Sequence, residues 1–207
     1  IGMNSVVVKY PENIDEATVL NKIDELNKDE NITAILVQIP LPKHIDSKKV
    51  IQSISPKKDV DGLTAENAGR IALGLEPFAY PCTPKGVLRL LDEYNIKLEG
   101  QRVVIVGRSN LVGKPLAQMC LNKNATVTVC HSYTKNLSDI TKTADILISA
   151  VGVNKIIRKE MIKNNSVIVD VGTSKVGGKI CGDVDFEKVS VGSSFITPVP
   201  GGVGPMT

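Results

Sequence analysis

The stretch Val103-Val104-Ile105-Val106-Gly107-Arg108-Ser109-Asn110-Leu111-Val112-Gly113-Lys114-Pro115 decides the fold. Four apolar residues in a row have the length and β-branching of a strand buried on both faces. Gly107 then serves a tight turn, and a helix starts near Gly113. In that arrangement the backbone N–H groups and the positive end of the helix face a pyrophosphate. The spacing departs from G-x-G-x-x-G, because Ser109 replaces the second glycine and Gly113 comes one place late. An ordinary glycine turn between strand and helix therefore stays open, and the flanking strand and helix favour a dinucleotide site.

Working outward, the same alternation continues. Strands are expected at Arg102–Val106, Ala125–Cys130, Asp145–Val151 and Ser166–Val171, with helices at Gly113–Asn122, Leu137–Thr143 and near Arg158–Asn164. Strands alternating with helices at this pitch imply a Rossmann-type parallel sheet. Upstream, Thr83-Pro84 has the form of a helix start, with Thr as N-cap and Pro at the first helical position. Val87, Leu88, Leu91 and Tyr94 give that helix a broad apolar face suited to packing between lobes.

The first part alternates too. Ser5–Lys9 and Thr33–Gln38 are expected as strands, Asp15–Lys28 and Asp46–Ile54 as helices, and Thr64 as the N-cap of a helix to about Leu73. The expected fold class is α/β: a Rossmann-type parallel-sheet domain plus a smaller, amino-acid-dehydrogenase-like α/β lobe, with a cleft between them. The expected division is a first lobe over 1–82, an inter-lobe helix over 83–96, the nucleotide-binding domain over 97–192, and a return segment with a glycine-rich loop over 193–207.

The strand ends bear on the cofactor. An NAD site places Asp or Glu at the end of the second strand to hold ribose hydroxyls. Here that strand runs into His131-Ser132-Tyr133-Thr134-Lys135, with no acid. Arg108 and Ser132 are placed to hold a 2′-phosphate, so NADP is expected over NAD; the bland alternative is an Arg108 pointing to solvent. Gly152 and Gly172, each after a strand, let backbone approach a ligand at the carboxyl edge of the sheet.

Composition narrows the classes. The chain has 207 residues and a formal net charge of +3, with its lysines interspersed among acids. Nothing there calls for a nucleic-acid or membrane partner. No apolar run approaches the ~18 residues of a membrane span. Four separated cysteines, Cys82, Cys120, Cys130 and Cys181, suggest neither a disulfide framework nor a metal site, and a cytoplasmic setting is expected.

Several strings together resemble the bifunctional methylenetetrahydrofolate dehydrogenase/cyclohydrolase family. They are Ile35-Leu36-Val37-Gln38-Ile39-Pro40-Leu41-Pro42, Pro56-Lys57-Lys58-Asp59-Val60-Asp61-Gly62, Pro81-Cys82-Thr83-Pro84-Lys85-Gly86, Val106-Gly107-Arg108-Ser109 to Val112-Gly113, and Thr197-Pro198-Val199-Pro200-Gly201-Gly202-Val203-Gly204-Pro205-Met206-Thr207. The resemblance implies NADP-dependent oxidation of 5,10-methylenetetrahydrofolate and hydrolysis of the methenyl product to 10-formyltetrahydrofolate. It implies Gln38 and Asp61 as catalytic-site residues, and a folate site formed by Val37, Gln38, Ile39, Asp61 and the loop Pro200, Gly201, Gly202, Val203 and Gly204. It also implies a cofactor site at Gly107, Arg108, Ser109, Ser132 and Thr173, and a homodimer. Thr173 stands where the family more often has Ile. The family's Tyr and Lys lie one helical turn apart on a helix preceding the segment that matches Ile1-Gly2-Met3, so no residue here takes their roles. Two alternatives follow: a chain that binds NADP and folate without full turnover, or another two-lobed NADP oxidoreductase of the shikimate-dehydrogenase type.

Overall fold

The structure, a computed structural model, describes residues 2–207. The helices and strands in chain order are α1 Glu16–Lys28, α2 Ser47–Gln52, α3 Ala65–Ala72, α4 Cys82–Glu93, β1 Arg102–Val106, α5 Gly113–Asn122, β2 Thr126–Cys130, α6 Leu137–Thr141 and β3 Ile146–Ser149, followed by β4 Ser166–Asp170, β5 Ser174–Val176, β6 Lys179–Cys181, α7 Phe186–Val189 and β7 Ser193–Ile196. Five strands form one sheet in the order β2-β1-β3-β4-β7, all parallel. The chain passes from β1 outward to β2 on one side and then crosses back to β3 on the other side of β1, and this reversal creates a crevice at the carboxyl ends of the strands.

Alternation along the strands explains why both faces are covered. Val103 and Ile105 of β1, with Ile146 and Ile148 of β3, join Leu116 and Cys120 of α5 and Val87 and Leu91 of α4 in one core layer. Val104, Val106, Leu147 and Ile168 point the other way and meet Ile157, Ile162, Val184 and Val189. A third, smaller cluster lies in the N-terminal part, where Ile23, Ile35, Ile45, Val50 and Ile54 pack together. Ile71 of α3 belongs to the large first layer, and the Asn122 side chain donates to its carbonyl at 2.7 Å. Gly86 on α4 is required by a close approach: a Cβ there would lie 2.8 Å from the Met206 carbonyl.

Several expectations need correction. Residues 5–9 form no strand, and Val6 and Val7 are exposed, because no neighbouring ladder receives their backbone groups. Of Thr33–Gln38 only Ile35 pairs, in a single parallel bridge to Asp59. Helix α4 begins at Cys82 behind Pro81. Thr83 therefore lies inside the first turn, and Pro84 still sits where the missing N–H costs nothing. Thr64 occupies the N-cap position of α3, but its hydroxyl makes no capping bond and is buried without a partner. Gln52 supplies the cap instead, accepting from the Ala65 N–H at 2.7 Å, while Asp59 takes the Thr64 N–H at 2.8 Å. The helix expected near Arg158–Asn164 shrinks to a 3₁₀ turn over Lys159–Met161, since Ile157 bridges in extended form to Val184 and Ile162 is also extended. The expected Leu137–Thr143 helix ends at Thr141. The hairpin β5–β6, turning at Gly177-Gly178, is an addition to the expected elements.

Candidate functional site

The carboxyl ends of β1, β3 and β4 carry the polar loops. Gly107 follows β1 with φ +125°, and a Cβ on it would come 2.5 Å from the Ala150 carbonyl. Gly113 is held as tightly, its Cα facing the Gly107 carbonyl so closely that no side chain fits. The loop between them closes on Ser109. Its hydroxyl accepts from the N–H groups of Val112 at 3.1 Å and Gly113 at 3.4 Å, and its carbonyl accepts from Lys114 N–H at 3.0 Å. The first donors of α5 are thus turned onto Ser109 rather than left open. An acceptor of two N–H groups still has its own O–H to donate outward.

Arg108, Ser109 and Asn110 are exposed at the mouth of this loop, and the Arg108 guanidinium lies 5.7 Å from the Tyr133 ring centroid. Ser132, at the end of β2, is exposed beside Tyr133. His131 N–H donates to Thr134 Oγ1, which closes that turn with no carboxylate in it. Stacking holds a guanidinium flat while leaving its N–H edge free for a phosphate. The close-packed glycines, the outward hydroxyl and the exposed guanidinium fit an anionic dinucleotide.

A cavity of about 370 Å³ lies at the ends of β4 and β7. Thr173 lines it together with Pro200, Gly201, Gly202, Val203 and Gly204, so the expected cofactor residue and the expected folate loop share one space. Thr83 lines it too, a position read from sequence only as a cap; its place in the first turn of α4 brings its side chain to the cavity. The loop bends at Gly201, φ +101°, and Gly202 packs so closely on Pro198 that a Cβ is excluded.

Gln38 and Val37 instead line a separate cavity of about 340 Å³ beside α1. The Gln38 amide is exposed and folds back on the Ile39 carbonyl at 3.3 Å. Arg108 borders a third, of about 620 Å³, between α3 and α5. Asp61, Ile39 and Ser132 line none of these three. Asp61 is half-buried, and burial, then the Asp59 carboxylate, push its carboxyl above the ordinary value. Asp59 itself is buried and accepts from Thr64 N–H and from Asn67 at 3.0 Å, which fixes the turn that presents Asp61.

Two buried carboxylates at the sheet edge were not legible as site residues. Asp183 accepts from Ser149 Oγ, Val151 N–H and Val153 N–H, each at 2.8 Å. Asp170 accepts from Gly172, Asp183 and Val184 N–H groups at 3.2, 3.0 and 2.9 Å. Burial pushes the Asp170 carboxyl up, against the pull of those backbone donors.

Known proteins fit this geometry. The NAD(P)-binding domain of tetrahydrofolate dehydrogenase/cyclohydrolase matches residues 81–207, and the catalytic domain of the same enzyme matches residues 1–61. The bifunctional protein FolD of Hydrogenobaculum sp. is 54% identical over 208 residues, covering 100% of this chain and 75% of that protein. The chain belongs to the tetrahydrofolate dehydrogenase/cyclohydrolase family. Among solved structures, the bifunctional FolD methylenetetrahydrofolate dehydrogenase/cyclohydrolase of Campylobacter jejuni superposes with a TM-score of 0.92 at 52% identity, covering 94% of this chain and 70% of that one. The Trypanosoma brucei enzyme, complexed with NADP cofactor and inhibitor, gives 0.89 at 39% identity, covering 95% and 69%. Among the described residues no helix is long and apolar enough to cross a membrane, and no cluster of metal-ligating side chains occurs.

Proposed function

We propose that the chain acts as an NADP-dependent methylenetetrahydrofolate dehydrogenase and methenyltetrahydrofolate cyclohydrolase. A hydride leaves the one-carbon bridge of 5,10-methylenetetrahydrofolate, and water then adds to the methenyl cation to give 10-formyltetrahydrofolate and a proton. Bound NADP⁺ supplies the hydride acceptor. The observation that supports the reading most directly is the shared cavity of Thr173 and Pro200–Gly204, in which the expected cofactor residue and the expected folate loop meet at the carboxyl edge of a parallel sheet.

In this reading Gly107 and Gly113 let the backbone close around the pyrophosphate, and Ser109 passes the positive end of α5 outward through its hydroxyl proton. Arg108 and Ser132 hold the 2′-phosphate, with Tyr133 keeping the guanidinium in place. Asp61 accepts from the pterin donors, and Val37, Gln38 and Ile39 border the folate from the N-terminal lobe. The lobe division at 82, 96 and 192, a homodimer and a cytoplasmic setting belong to the same proposal.

The test is reduction of NADP⁺ driven by methylenetetrahydrofolate, followed through the absorbance of the reduced nicotinamide. Arg108→Ala is expected to weaken NADP⁺ by about tenfold to a hundredfold, the loss of one ionic hydrogen bond, while barely changing NAD⁺. Asp61→Asn is expected to lower kcat/KM for the folate by about tenfold or more with NADP⁺ affinity intact. Equal loss of NADP⁺ and NAD⁺ sinks the phosphate assignment; unchanged folate kinetics removes Asp61 from the site. Binding of both ligands without turnover would favour a non-catalytic binding chain.

A further inference from the structure

The two buried carboxylates at the ends of β3 and β4 do more than fill the core. The segments Asp170-Val171-Gly172 and Gly182-Asp183-Val184 face each other, and each acid sits on the other segment's glycine. A Cβ on Gly172 would run into the Asp183 carboxyl, and one on Gly182 would run into Asp170 Oδ2. Each carboxylate gathers three donors: Asp170 from its own strand end and the 183–184 backbone, Asp183 from the Ser149–Val153 loop. The result is an interlock that ties the end of β3 to the end of β4 through two reciprocal acid-on-glycine contacts.

Its position matters. The Ser149–Val153 loop contains Ala150, which abuts Gly107 of the phosphate loop. Gly172 is followed at once by Thr173, which lines the cavity shared with the Pro200–Gly204 loop, as does Asp170 itself. Under the proposed function the nicotinamide must meet the folate for hydride transfer, which assigns it to the cavity shared by Thr173 and Pro200–Gly204, and the interlock sets the spacing between the two strand ends beside that cavity. Taking two carboxylates out of water is costly unless their hydrogen bonds are satisfied. Such a cost is more economically avoided in a region that has only to be stable, where apolar residues would pack as well.

We propose that Asp183 and Asp170 are positioning residues for the nicotinamide end of the dinucleotide, acting through the Ser149–Val153 and Gly172–Thr173 backbone. The chemistry requires a carboxylate. An amide at 183 keeps the shape but offers one oxygen to three donors, and turns its own N–H group onto one of them. The loops then reset while the Arg108 end of the site, on the far side of β1, stays in place.

This inference rests on the proposed NADP site, and the experiment separates the two. Dissociation constants for NADPH and for 2′,5′-ADP, which carries only the phosphorylated adenosine half, are measured on the 207-residue chain and its variants. Asp183→Asn is expected to weaken NADPH by about tenfold, a hydrogen bond lost at a charged group, and to leave 2′,5′-ADP within about twofold. If that variant fails to fold, Ser149→Ala gives the same reading. It removes one of the three donors and is expected to weaken NADPH about threefold, with 2′,5′-ADP unchanged. Equal weakening of both ligands means a merely structural role and overturns the inference, as does no change in either. If the parent chain binds neither ligand, the NADP site itself is wrong and the inference falls with it. If it binds both and the ratio never moves, only the inference is lost.

Discussion

The C-terminal sheet has five parallel strands, each laddered to at least one neighbour, whereas among the described residues the N-terminal lobe has one isolated bridge, Ile35 to Asp59. Yet the sequences of the two look alike. Val6-Val7-Val8 is as apolar and as β-branched as Val103-Val104-Ile105-Val106, and Ile35-Leu36-Val37 is as apolar, with two of its three residues β-branched. The difference is in their neighbours. All five residues of β1 pair with β2, and Val103–Val106 pair with β3 as well, so those four residues have a strand on both sides and side chains that meet a covered face. Ile35 donates its N–H to the Lys58 carbonyl at 2.7 Å, and the ladder ends there. Strand propensity reports a fit to a sheet, and a sheet must be present for the fit to count.

The largest expected effect tests that contrast in the cores. Ile148 in β3 is fully buried, and Ile45 in the N-terminal cluster is nearly so. Ile148→Ala is expected to cost about 3–5 kcal/mol in urea unfolding, because paired strands on both sides hold the cavity open. Ile45→Ala is expected near the lower end, about 2 kcal/mol, since loops around a small cluster can relax into the space. Equal costs would mean that the N-terminal lobe is packed as rigidly as the sheet, and the comparison would fail.

What was legible in the sequence follows the same division. β1 and α5 begin and end where the apolar run, the turn glycine and Gly113 place them, since those signals are local. The β5–β6 hairpin is not legible in the sequence because its strands are three residues long and mostly exposed, leaving Gly177-Gly178 as the sole cue. The Pro200–Gly204 loop and Thr173 were named from separate strings, but their shared cavity depends on how β4 and β7 lie in the sheet. The Asp170–Asp183 interlock was invisible for a stronger reason. Neither acid belongs to a motif, and each finds its glycine only after the hairpin between them has folded back.

The opposite edge of the sheet offers a smaller test. Asp145 precedes β3, accepts from Arg102 N–H at 2.9 Å and pairs with Lys163. The hydrogen bond from Lys163, then that from the Arg102 backbone, hold its carboxyl below the ordinary value of 3.8. A depressed folded-state value means that the stabilisation is fully present above the unfolded-state value and is lost as pH falls through the folded one. Asp145→Asn is expected to cost about 0.5–1 kcal/mol at neutral pH, as suits a partly exposed pair. The gap between variant and parent should close below about pH 4 in acid unfolding. A gap that persists into acid, where the parent carboxyl is itself neutral, would show that the charge on Asp145 is not what the variant loses and that the difference comes from local packing.

The smallest expected effect returns to the N-terminal strand that does not form. Val7 is 73% exposed, so its side chain contributes almost nothing to a folded core. Val7→Thr keeps the β-branched shape and swaps a methyl for a hydroxyl, and is expected to shift stability by no more than about 0.5 kcal/mol. Burial in a paired strand would make the same change cost more, because the hydroxyl would have to be desolvated. A loss above about 1 kcal/mol that grows with protein concentration would mean that the Val6–Val8 run is covered in solution by a second copy, as unpaired β-branched backbone invites. A null result that is independent of concentration would leave the contrast between the two regions intact: equal propensity, and a sheet only where neighbours complete it.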